Sequence, residues 1–437
     1  MRRSPVSRRV FLRQSTVGLL ASALRPWPVG ASYPGTAVAG NQWPGRIAIC
    51  RDRLMWGGTG VDAGRVESVL AASLCELADQ ASVDTALRTV LAGCTPESTI
   101  AIKVNCISQC ATRWELAWAL CSCLSKMFDG TYDVGNVTVF DQNYIAGAGY
   151  VQSRFTFGGS SVQLSDDPPF DTGVYPVPGH ELTSLITEAD YLINMPVLKD
   201  HNSNQLTASF KNNYGSVNPQ GGMCGEYGTM LALNTAQGIR EKTALLVLDG
   251  ILGVWQGGPD QPPQYWSTYG NGIPCTLFAS TDPVTVEYWA RDTINMERVF
   301  HGLPTYEAAY IEEASDPPYE LGVSDPAQMD VRSLHLGADD PLGSRPTAVA
   351  LPAYPNPTSG PVMLRFRLGK EATVSMRIYD AKGRSVADIT GGRFRAGTHD
   401  ISWNGRNASG EPVTPGSYTW VLAAETWQTA GSVIVIR

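Results

Sequence analysis

Charge is scarce in this chain: 17% of its 437 residues are Asp, Glu, Lys or Arg, against roughly a quarter in an average soluble domain. The balance is acidic, with a formal net charge of -8 at pH 7. An acidic surface repels phosphate backbones and anionic headgroups, which argues against nucleic acid as a partner and against a peripheral membrane role. Histidine is rarer still, at five residues, and His180-Glu181 lacks the second histidine of a zincin motif. No G-x-S-x-G elbow and no Walker lysine loop occur, so neither a serine-hydrolase elbow nor a P-loop is expected. The nine cysteines form no C-x₂-C-x₂-C run, which leaves an iron-sulfur cluster without a ligand motif. Long apolar runs are absent too, and no integral membrane segment is expected in the mature chain.

What is present begins at the amino terminus. Ser7-Arg8-Arg9-Val10-Phe11-Leu12-Arg13 has the paired arginines of a twin-arginine export signal, followed by a short apolar run from Thr16 to Leu24. Small residues at Val29-Gly30-Ala31 and Ala37-Val38-Ala39 offer two cleavage sites, of which the second is preferred, giving a signal peptide over 1–39. Those residues hold six arginines and no acid, so their removal takes the net charge from -8 to -14. The expected partner is the twin-arginine translocase, and the expected location is the periplasm, cell surface or exterior. That route serves proteins that fold, often around a cofactor, before export.

Two domains follow. Between about 44 and 340, β-branched runs at 46–49, 99–104, 137–140, 191–195 and 244–248 alternate with helical patterns at 61–79, 114–128, 181–189, 206–213 and 283–294. Alternation of this kind predicts an α/β domain with a mainly parallel sheet. A Pro/Gly-broken linker spans 341–351, and from 352 to 437 six short β-rich segments separated by turn formers predict a small all-β immunoglobulin-like sandwich. His399 falls in one of these strands and reads as half-exposed surface.

In parallel α/β sheets the ligand crevice lies beyond the carboxyl ends of the strands. The residues there are Lys103 and Asn105, then Asp141 and Asn143, then Asn194, Lys199 and His201, then Asp249. Lys199, His201 and Lys211 with their neighbouring amides give hydrogen-bond donors in excess, which suits a small anionic ligand; the alternative is a solvated loop and a capped short helix. Thr207 and Lys211 would share a helix face, with Gly215 ending that helix. Asp282 before Pro283 reads first as a helix N-cap. With His201, Asp249 and Glu287 it also makes a mixed N/O set that would suit a divalent metal such as zinc, manganese or non-haem iron. Gly222, Gly225 and Gly228 follow no strand and read as a loop, and the stretch from Trp255 to Trp266 reads either as a lid or as a surface insertion.

Three segments in order, Ile102-Lys103-Val104-Asn105, 189–201 with Asn194-Met195-Pro196 and Lys199-Asp200-His201, and Phe210-Lys211-Asn212-Asn213-Tyr214-Gly215, resemble the DUF362 family. Leu248-Asp249-Gly250, Gly257-Gly258-Pro259 and Ser280-Thr281-Asp282-Pro283 continue its pattern, and Glu287 stands where the family more often has aspartate. The resemblance implies Lys103, Asn105, Asn194, Lys199, His201, Lys211, Asn212, Asp249 and Asp282 as site positions, in a family whose reaction is not established. Relatives are sometimes associated with iron-sulfur proteins.

At the carboxyl end, Tyr354-Pro355-Asn356-Pro357, Ile378-Tyr379-Asp380 and Trp403-Asn404-Gly405 are similar to the FlgD-like immunoglobulin domain of exported bacterial proteins. This implies attachment or a cell-surface sorting and secretion machinery as partner. The residues and resemblances together lead to two expectations. One is an exported enzyme in which Lys199, His201 and Lys211 act on a substrate held by Lys103, Asn105, Asn194 and Asn212, with Asp249, Asp282 and Glu287 at a metal. The other is a non-catalytic ligand-binding or surface protein displayed through its Ig-like domain.

Overall fold

The computed structural model describes residues 40–269, 272–336, 349–350, 353–368, 371–380, 384–395, 397–424 and 427–436. The expected signal peptide and most of the expected linker lie outside the described residues.

The first domain is built on a mixed sheet. Its strands in chain order are β1 (Arg46–Arg51), β2 (Ile100–Val104), β3 (Val137–Phe140), β4 (Gln163–Ser165), β5 (Tyr191–Met195), β6 (Val197–His201), β7 (Gln205–Thr207), β8 (Thr243–Val254), β9 (Thr276–Ser280) and β10 (Asp330–His335). Across the sheet the order is β10-β1-β9-β8-β5-β2-β3-β4, with β6 paired to the far end of β8 and β7 paired back on β6. The pairs from β8 through β5, β2 and β3 to β4 are all parallel. Only β9 on that path opposes its neighbours, and it is antiparallel to both β1 and β8.

Helices cover both faces. On one face, α1 (Ala63–Ala78), α2 (Val83–Val90) and α3 (Trp114–Leu124) bury Val69, Leu70, Leu87 and Leu120 against Ile102, Val139, Ile193 and Val247. On the other, α5 (Pro283–Phe300) and α4 (Tyr227–Thr235) pack Val286, Ile294 and Leu231 over Ala101, Leu192, Leu246 and Phe278. Strands buried on both faces carry apolar residues at nearly every position, as Tyr191–Met195 does. From β2 the chain moves one way across the sheet to β3 and β4. It then returns to the other side of β2 for β5 and β8, so the topology reverses between β2 and β5. In open α/β sheets ligands bind beyond the carboxyl ends of the strands at such a reversal.

The carboxyl-terminal domain consists of two antiparallel sheets. One joins Val349–Ala350, Val362–Leu368 and Gly397–Trp403; the other orders Ser385–Phe394, Ala372–Asp380, Gly416–Ala424 and Trp427–Val435. Between them Leu364, Phe366, Met376, Ile378, Trp403, Trp420 and Leu422 form a separate core. His399 is half-buried in its strand, its ring against Phe366 and Phe394.

Candidate functional site

The strand ends on either side of the reversal carry a buried polar network. Lys103 projects from the last turn of the pleat in β2, and its Nζ donates to the Val104 carbonyl at 2.6 Å, Asp141 Oδ1 at 3.1 Å and Asn212 Oδ1 at 3.5 Å. Asp141 follows β3 and also accepts from the Cys106 and Gln142 backbone N–H groups at 2.6 and 2.8 Å. Asn212 lies at the end of the short helix Ser209–Asn212; its Nδ2 donates to Asn194 Oδ1 at 2.7 Å and to the Lys103 carbonyl at 3.2 Å. Asn194, on β5, donates in turn to the Ser209 carbonyl at 2.8 Å.

Lys199, on β6, is fully buried, and its Nζ donates to Asn105 Oδ1 at 2.9 Å and to the Ile107 and Cys110 carbonyls, both at 3.0 Å. Those three bonds use every hydrogen of the ammonium and tie down the loop after β2. Burial pushes the Lys199 ammonium down to about 8, with the positive charge of Lys211 acting the same way. Lys103 and Lys199 therefore position the crevice walls and have no donor left for a ligand.

Two donors on the rim are differently placed. His201 is half-buried at the end of β6, and its Nδ1 accepts from the Ser203 and Asn204 backbone N–H groups at 3.1 and 3.2 Å. An Nδ1 that accepts leaves the proton on Nε2, so the neutral ring presents an N–H. Burial and the nearby Lys211 and Lys199 charges push this imidazole down to about 4, against the weaker pull of Asp260. Lys211 is half-buried, with its Nζ 4.9 Å from the centre of the Tyr214 ring and beside the exposed Cys224 thiol. Its ammonium is lowered by burial.

The three carboxylates expected at a metal do not come together. Asp249 Oδ2 accepts from the Arg113 N–H at 2.6 Å, at the start of α3, and its Oδ1 from the Ile251 N–H at 2.9 Å. Full burial pushes its carboxyl up to about 6. Asp282 is the N-cap of α5, accepting from Thr285 N–H at 2.9 Å and, through Oδ2, from Gly45 and Val323 N–H at 2.8 and 2.9 Å. Because β9 runs antiparallel, Asp282 sits at the opposite end of the sheet from the crevice. Glu287 accepts from Ser209 Oγ and Phe210 N–H at 3.0 and 2.7 Å, and Tyr310 donates to its other oxygen at 2.9 Å. Each carboxylate already accepts at least two hydrogen bonds from protein donors. Among the described residues no group of three or more His, Cys, Asp or Glu side chains is placed to hold a metal ion. The cysteines form no disulfide among the described residues, and burial raises Cys106 and Cys110 beside the loop, the latter to about 12.

Sequence reasoning placed Asp141 at a strand end without giving it a role, although it receives the Lys103 ammonium. Tyr214 and Cys224 carried no signal: the one sits in an amide-rich run and the other in a glycine-rich loop. The expected helix over 206–213 is instead the strand β7 followed by one α-helical turn, Ser209–Asn212, and a 3₁₀ helix, Asn213–Ser216, so Thr207 lies in register with Lys199 and does not share a helix face with Lys211.

Residues 100–292 match the model of a domain of unknown function, DUF362, and residues 358–428 match that of the FlgD Ig-like domain. No curated protein matches the chain. Among solved structures, 20% of the chain is similar to dimeric latent PorU from Porphyromonas gingivalis, at 25% identity over 9% of that chain with a TM-score of 0.18. The same share is similar to PorZ, a surface component of the type-IX secretion system of that organism, at 27% identity over 11% of that chain with a TM-score of 0.15. FlgD from P. aeruginosa is similar at 23% identity over 20% of this chain and 68% of that one, with a TM-score of 0.17. The chain thus spans about a tenth of the length of PorU and of PorZ. It is built of a DUF362 domain and, after it, a FlgD Ig-like domain.

Proposed function

We propose that this is an exported enzyme whose DUF362 domain binds a small anionic substrate in the crevice between β2 and β5, with Lys211 and the Nε2–H of His201 as the contacting donors. The observation that carries the reading is the contrast in donor use. The ammonium groups of Lys103 and Lys199 are consumed by protein acceptors, whereas Lys211 has no carboxylate or carbonyl partner and the His201 Nε2–H none at all among the described residues. A cation and a neutral N–H donor above a rigid floor that holds the buried Lys199 ammonium favour an anion, and the neutral imidazole can donate to a developing oxyanion without first losing a charge. Export by the twin-arginine translocase, and attachment or sorting through the Ig-like domain, complete the proposal. They rest on the arginine pair at Arg8-Arg9 and on the match to the FlgD Ig-like domain.

Calorimetric titration with inorganic phosphate, sulfate and acetate tests the site. At least one anion is expected to bind saturably, to be lost in Lys211→Met and to be regained in Lys211→Arg. Equal affinity in Lys211→Met and the unaltered protein would remove the anion site. The Ig-like match also supports the second reading, a displayed ligand binder. Binding that survives in a protein with no turnover of phosphate, sulfate or carboxylate esters would favour it.

A further inference from the structure

A cavity of about 490 Å³ lies away from the crevice, beneath the sheet face covered by α5, with Asn194, Asn213, Asn234, Ile239, Leu246 and Leu321 among the residues that line it. Its polar wall is a chain of carboxamides. Asn234 Nδ2 donates to the Phe210 and Met230 carbonyls at 3.1 and 2.8 Å, and Asn234 Oδ1 accepts from Asn213 Nδ2 at 2.8 Å. That chain fixes the Asn213 amide, since a flip would set two carbonyl oxygens against each other. Asn213 is 1% exposed, and its Oδ1 has no hydrogen-bond partner.

A buried acceptor without a partner is unusual and calls for a donor from outside the protein. The buried residues of the lining include no charged side chain. Arg240, Glu241 and Glu320 are exposed at the rim, and Arg240 is tied to the Tyr319 and Glu320 carbonyls at 3.2 and 2.9 Å. Ile239, Leu246 and Leu321 add apolar surface to the same lining, Leu246 directly beside Asn194 in the sheet. We propose that this cavity binds a small neutral polyol, one hydroxyl donating to Asn213 Oδ1 and the C–H faces of the ligand lying against the apolar wall. Its volume is in the range of small-molecule sites. Water can satisfy the same acceptor, but a polyol reproduces that bond while covering apolar surface that water cannot. The site goes beyond the anion crevice and touches it only through Asn194, whose Oδ1 accepts from Asn212.

The test follows the side-chain amide resonances of Asn213 and Asn234 in the full chain during titration with glycerol, glucose and myo-inositol, with sulfate as the control for the crevice. At least one polyol is expected to shift both resonances saturably while sulfate does not, and Asn213→Ala is expected to abolish the shift at Asn234. If that variant fails to fold, Val323→Trp, which fills the cavity from a half-exposed wall position, is expected to abolish it instead. No saturable shift with any of the three polyols, or one that persists in the folded variant, overturns the proposal whether or not the anion crevice survives its own test.

Discussion

Lys199 shows how a residue with catalytic chemistry becomes architecture. Its side chain is buried and gives three hydrogen bonds to the loop after β2, so truncation leaves three acceptors without a donor. Lys199→Met is expected to destabilise the domain by about 2 kcal/mol at pH 7, as read from urea denaturation. The lysine also leaves a signature in pH. Its folded-state value of about 8 lies below that of an unperturbed lysine, so between pH 8 and 10 the unfolded chain holds a proton that the folded chain has released. Stability from this group therefore rises with pH across that window, and the Lys199→Met variant is expected to lose that rise. An identical pH slope in both proteins would mean that the buried ammonium is not the titrating group. The residue type and strand-end position of Lys199 were legible in the sequence, but its partners were not: two of the three are main-chain carbonyls of a loop, which no side-chain pattern records.

At the scale of elements, the crevice is held by close approach of the turn after Asn212 to β2 and β3. A Cβ at Gly215 would lie 2.6 Å from both Asp141 Oδ1 and Lys103 Nζ. Gly215→Ala would thus push apart a buried ion pair that has no room to relax, and a loss of 1–3 kcal/mol is expected, roughly that of overpacking a core. The urea midpoint checks it, and an unchanged midpoint would show that the turn yields freely. The sequence suggested Gly215 as a helix end, yet the residue matters through the space that it leaves for the ion pair. Five strands and the helices α1, α3 and α5 were legible because their apolar residues repeat at the strand or helix period over enough length. The helix expected over 181–189 is a two-residue strand, Glu181–Leu182, and one turn, Ser184–Thr187. There, and at β7, tertiary pairing overrides a short helical pattern. β6 has no apolar alternation to mark it as a strand, because its polar Lys199 and Asp200 face partners inside the protein rather than water.

For the whole molecule, the two matched families predict how the chain comes apart. The hydrophobic core from Ala353 to Val435 is drawn entirely from the carboxyl-terminal domain and shares no residue with the two cores that flank the mixed sheet. Three or more strands with a buried face are enough for independent stability, and a domain of this size buries enough surface to fold alone. The change of period near residue 345 made this division legible in the sequence, because alternating short strands with turn formers differ from strand-helix alternation over tens of residues. A fragment spanning 349–437 is accordingly expected to melt cooperatively by circular dichroism at the temperature of one of two transitions seen by calorimetry in the full chain. Gly215→Ala should then lower only the other transition. A single transition in the full chain, shifted as a whole by Gly215→Ala, would instead mean that the Ig-like domain depends on the DUF362 domain for its stability.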